Sequence, residues 1–205
     1  MAPEDVLAFW FGEPATDPPS LMAKMKRWFA GGPAFDEEIK ARFLPEIEKA
    51  MAGGLGEWTE TVRGKLAVVL LLDQLTRSVY RNDARMYAGD ARAQELALGV
   101  IQQGLHHELG MFEQMFLHMP LAHAEDRGLQ EISVAEAARV AGLALEWQRP
   151  MMAMGIEQTR KYRDIIERFG RFPHRNAILG RESTPEETEF LVDWAAKMPP
   201  AAMRG

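Results

Sequence analysis

Seven consecutive apolar residues, Leu66 to Leu72, run straight into Asp73, Gln74 and, one turn later, Arg77. A helix built on such a run is apolar on every side, so it must be surrounded by other elements. Seven residues are far too few to span a bilayer, which takes roughly 20. The run therefore belongs in the centre of a packed core, and the chain must fold around it.

The rest of the sequence supplies helices to do so. Twenty-eight alanines and thirteen methionines favour helix, and no segment alternates as a strand would. Phe35, Ile39, Phe43, Ile47 and Met51 recur every four residues and draw one stripe, with Pro45 expected to kink it. Tyr162, Ile165, Ile166 and Phe169 follow the i, i+3, i+4, i+7 pattern, as do Ile132, Ala135, Val140, Leu143, Ala144 and Trp147 more loosely. Thr184, Pro185 and Glu187 form a capping box at the start of the last helix, and Pro199-Pro200 lies just past its end.

Breakers set the remaining boundaries. The three prolines between Gly12 and Ser20 predict a loop, and Gly53, Gly54 and Gly56 end the Phe35 helix. A long helix is expected from about Thr61 to Tyr80, another capped by Asp90 and running to about Leu105, and a third from about Gly110 to Glu125, bent at Pro120. Gln148-Arg149-Pro150 separates the next two. Short connections make neighbours antiparallel, so the chain reads as one all-α domain over 1–205, with eight or nine helices packed as successive hairpins.

Composition narrows the function classes. The net charge of −6 argues against nucleic acid as a partner, since phosphate binding calls for a basic stripe. There is no cysteine, so thiolate metal sites and cysteine nucleophiles are excluded. Acids at Glu4 and Asp5 stand where a signal peptide carries lysines, and no run is long enough for a membrane. The cytoplasm is the expected compartment.

Three polar stretches carry what chemistry there is. Asp73 with Gln74, Arg77 and Arg81 is either a structural ion pair or the polar wall of a pocket. His123 stands beside Glu125 and Asp126, which suits a general base, although Asp126 equally suits the cap of the next helix. The segment from Arg168 to Arg181 holds four arginines, His174 and no acid. Its His174-Arg175-Asn176 either binds a carboxylate or phosphate or braces acids such as Asp73 or Asp126. No metal site is expected: His118 and His123 are five apart and His106-His107 adjacent, whereas a helical pair wants i, i+4. No serine lies in a Gly-x-Ser-x-Gly elbow, no phosphate loop is present, and no cofactor is indicated. The tryptophans, evenly spread, read as core.

These stretches carry a resemblance. Val6–Gly12, Trp28-Phe29, Asp73-Gln74 with Arg77 and Tyr80-Arg81, His123–Asp126, Phe169–Asn176 and Leu179–Glu187 together resemble the bacterial "domain of unknown function 924" family. The resemblance implies an all-helical, tetratricopeptide-like superhelical arrangement and no established activity. Where that family usually has Asp-Gln-Phe-Pro-Arg-Asn, this chain has Asp73 to Ser78 without the proline. Where it has His-Ser-Glu-Asp, this chain has Ala124 in place of the serine.

Two functions compete. One is a small-ligand pocket, anion-binding and open to an enzymatic role, with His123, Glu125 and Asp126 as acid/base candidates and Asp73, Gln74, Arg77, Arg81, His174, Arg175 and Asn176 holding a small anionic ligand. The other is a tetratricopeptide-like scaffold for a protein or peptide partner, which predicts an exposed apolar or mixed groove away from those stretches.

Overall fold

The computed structural model describes residues 1–197; Pro199-Pro200 lies outside them. Nine α-helices account for the described residues, and no strand is found among them. They are α1 (Pro3–Phe11), α2 (Pro18–Ala30), α3 (Gly32–Met51), α4 (62–79), α5 (Asp90–Gln102), α6 (Met111–Ala122), α7 (Arg127–Ala141), α8 (Arg149–Phe169) and α9 (Pro185–Lys197). Short 3₁₀ turns fill most of the connections. From α5 onward each helix packs on the next as far as α8, giving successive hairpins.

Helix α4 lies at the centre, as its apolar run demands. It packs against α1, α3, α5 and α6, and every residue from Leu66 to Leu72 is fully buried. The stripe of α3 (Phe35, Ile39, Phe43, Ile47) closes one side, and α1 adds Phe9 and Trp10. Ile165, Ile166 and Phe172 form a smaller core, covered by Phe190 and Trp194 of α9.

Several boundaries differ from expectation for identifiable reasons. Residues 12–20 are not all loop: α2 begins at Pro18, with Asp17 accepting a hydrogen bond from the Ser20 N–H (2.8 Å). Proline in the first turn costs nothing there, because those N–H groups have no intrahelical acceptor. Helix α3 continues through Pro45 to Met51. Helix α5 stops at Gln102, three residues short of the expected end, and Gly104 then adopts a left-handed φ of 71°. Its cap is Gly89 rather than Asp90, whose carboxylate turns inward. The capping box of α9 forms as expected: Thr184 Oγ1 accepts from the Glu187 N–H (3.2 Å), and Glu187 Oε2 from the Thr184 N–H (2.8 Å).

Candidate functional site

The site grows from an irregularity in α4. Its first part (Val62–Val69) and last part (Thr76–Val79) are α-helical, but Leu70–Leu75 forms a π turn. The Thr76 N–H therefore reaches back five residues to the Leu71 carbonyl, which also accepts from Thr76 Oγ1. Inserted π turns shift the register of the helix surface and occur frequently at functional sites. Asp73 sits in this turn with no exposure at all.

Three groups satisfy that buried carboxylate. His123 Nδ1, at the C-terminal end of α6, lies 2.7 Å from Asp73 Oδ1. Arg77 Nη2 donates to the same oxygen (3.2 Å), and Gln74 Nε2 donates to Oδ2 (2.5 Å). Burial pushes the Asp73 carboxyl up, but the contacts with His123 and Arg77 and the Gln74 hydrogen bond outweigh it, so Asp73 stays below the usual carboxylate range.

A second tier lies behind the first. Arg77 also reaches Asp90 (3.1 Å) and the Met86 carbonyl (3.0 Å), and Arg175 Nη1 joins Asp90 from the opposite end of the chain (3.3 Å). Both guanidinium groups lie over the Tyr87 ring, at 5.3 and 4.5 Å. Arg175 is itself pushed down by burial and by the charge of Arg77, against the pull of Asp90. Two carboxylates thus meet two guanidinium groups, a balanced arrangement in the interior.

His123 also lies on the wall of an open cavity of about 530 Å³, lined by residues of α1, α2, α4, α6, α7 and α8. Trp10, Trp28 and Phe29 form aromatic wall, and Met25, Met115, Met119, Met151, Met152 and Met154 form flexible wall. The polar lining includes Gln74, His118, Thr159 and Tyr162. His118 is buried with neither ring nitrogen hydrogen-bonded, and burial pushes its pKa down to about 4. Such a volume, mostly apolar with a few polar groups, is the ordinary character of a small-molecule site.

The expected residues thus divide. Asp73, Gln74, Arg77, His123 and Arg175 come together. Arg81 lines the cavity but is held by both Asp36 oxygens (2.6 Å to each). Glu125 pairs with Arg181 (2.6 Å) and accepts from the Phe172 N–H (2.7 Å), away from His123. Asp126 is exposed and caps α7 through the Leu129 N–H (2.8 Å). His174 stacks on Trp194 (5.3 Å between centroids), and Asn176 donates to Ser183 and Glu187. Sequence reasoning passed over Asp90 as a site residue, and also Tyr87, His118 and the methionines. Only Asp90 left a signal, as a carboxylate beside a helix start. Among the described residues no group of three or more His, Cys, Asp or Glu side chains is placed to hold a metal ion, and no helix is long and apolar enough to cross a membrane.

An all-helical protein with a buried acid–arginine cluster that meets a largely apolar cavity at Gln74, Arg77 and His123 is the class defined so far. The chain belongs to the family described as bacterial protein of unknown function (DUF924), whose model matches residues 6–194. A solved structure of a protein of unknown function from Agrobacterium tumefaciens is similar to it, with 34% identity and a TM-score of 0.71 over 93% of this chain and 97% of that one. A comparison with curated proteins finds no match.

Proposed function

We propose that the protein binds a small molecule in the 530 Å³ cavity and that His123 acts on it as an acid/base group. One observation carries this reading: a carboxylate with no exposure, Asp73, holds Nδ1 of a histidine that lines the cavity. A carboxylate on one ring nitrogen fixes tautomer and orientation, so the ring presents Nε2 as a base. The groove required of a peptide-binding scaffold would lie apart from the polar stretches. Here the apolar hollow adjoins them, which favours the small-ligand reading.

Carbethoxylation with diethyl pyrocarbonate, mapped by mass spectrometry, tests this directly, because the reagent attacks an unprotonated, reachable imidazole nitrogen. His123 is expected to react, more slowly in Asp73→Asn, and to be protected when the neutral dye Nile red fills the cavity. A His123 that stays unmodified, or whose labelling ignores both the dye and the substitution, overturns the assignment.

A further inference from the structure

The hydrogen-bonding inventory of the cavity wall says more about its occupant than its volume does. The charges of both arginines on the wall are already matched, Arg77 by Asp73 and Asp90 and Arg81 by Asp36. Among the described residues lining the cavity there is no lysine and no carboxylate. A charged ligand would therefore leave water and find no counter-ion, the least favourable way to bury a charge. The anionic ligand suggested by the arginines alone has no cation left to receive it.

The two polar groups nearest the acid cluster are both acceptors. An ionised Asp73 can only accept, so His123 Nδ1 carries a proton in this contact, and a ring with that proton alone offers a lone pair at Nε2. The same logic fixes the Gln74 amide: its nitrogen donates to Asp73 Oδ2 and lies 3.1 Å from Met119 Sδ, which leaves Oε1 as its second polar atom. Each of these acceptors on the wall calls for a donor from the ligand. The six methionines around them are unbranched and polarizable, suited to a flexible aliphatic body rather than to one rigid shape.

Resting on the small-ligand reading above, we infer that the occupant is an uncharged aliphatic molecule bearing a hydroxyl group, with its O–H directed at His123 Nε2 and Gln74 Oε1. The hydroxyl then donates a hydrogen bond to the same ring nitrogen that the proposed function assigns as the base.

Nile red fluorescence with the full chain separates this inference from the reading beneath it. The dye should bind the wild-type protein and be excluded by Thr159→Trp, which fills the cavity. Dye that does not bind, or binds the filled variant equally, removes the pocket reading and this inference with it. With the dye bound, displacement by four probes of similar chain length is compared below their aggregation limits: 1-decanol, decyl methyl ether, decanoate and decylammonium. Decanol is expected to displace the dye at concentrations at least about tenfold lower than the other three, the size of effect expected when an acceptor loses its donor. In Gln74→Leu, and independently in His123→Phe, decanol should fall toward the ether. Equal displacement by decanol and ether, tighter binding of either ion, or an advantage for decanol that survives both substitutions would sink the hydroxyl assignment while leaving the pocket standing.

Discussion

Asp73 answers to three partners at once, His123, Arg77 and Gln74, and its removal has a defined consequence. Asp73→Asn leaves Arg77 and Arg175 sharing Asp90 alone, one buried cation in excess. Breaking a buried pair in this way costs about 3–5 kcal/mol, which urea denaturation at neutral pH should register. His118 makes a second prediction at this scale. Held neutral by burial with a pKa of about 4, it is protonated at higher pH in the unfolded chain, near the ordinary 6.5. The stability it protects is complete above pH 6.5 and is lost as pH falls toward 4, about 3 kcal/mol in all. Asp73, depressed below 3.8, adds a loss in the same direction only at still lower pH. His118→Leu should therefore flatten the fall in melting temperature between pH 6.5 and 4, and an unchanged slope would show that His118 does not remain neutral. Of these residues the Asp73–Arg77 pair was legible in the sequence, because i, i+4 spacing fixes it locally. The contact with His123, fifty positions away, follows from how α6 lies on α4, which no spacing rule reaches.

The π turn is the element on which the site depends, and Gly89 is its neighbour. A Cβ at position 89 would stand 2.6 Å from the Leu72 carbonyl oxygen and 2.9 Å from its Cβ, so α5 begins flush against the α4 backbone. The obstruction is steric, since Gly89 has an ordinary φ of −87°. Gly89→Ala should cost about 1–3 kcal/mol as overpacking does, and should also weaken Nile red binding by displacing Asp73 and Gln74. Asp126 provides the contrast. As the cap of α7 it should cost about 1 kcal/mol when changed to alanine, with carbethoxylation of His123 unaltered, and a changed labelling rate would return Asp126 to the site. Local signals explain what was legible here: Thr184, Pro185 and Glu187 announce the start of α9 because a cap involves only three or four consecutive residues. The π turn left no trace, since a run apolar on all sides has no stripe whose phase could visibly slip. Pro18 misled because proline breaks a helix inside it yet suits its first turn.

Across the whole molecule, Arg175 joins the α8–α9 end to the centre. It leaves the 3₁₀ turn Pro173–Arg175 and crosses Phe172 and Tyr87, at 4.6 and 4.5 Å, to reach Asp90 at the head of α5. The basic segment from Arg168 to Arg181 suggested either an anion site or a brace, and the partner that distinguishes them lies 85 positions away, invisible to local pattern. The methionines hid the cavity in the same manner, since in sequence they count only as helix formers. If the arginine is a tether, its energy must be shared with Asp90. Arg175→Met strips one guanidinium and leaves Asp90 to Arg77, while Asp90→Asn leaves Arg175 buried without its counter-ion. Combining the two removes both ends of one contact and preserves the Asp73–Arg77 pair. The double variant should therefore be more stable than the sum of the single losses by about 1–3 kcal/mol in a denaturant cycle. Additivity within about 0.3 kcal/mol would mean that the two residues act independently, and that packing of Phe172 and Tyr162 alone holds the C-terminal helices in place.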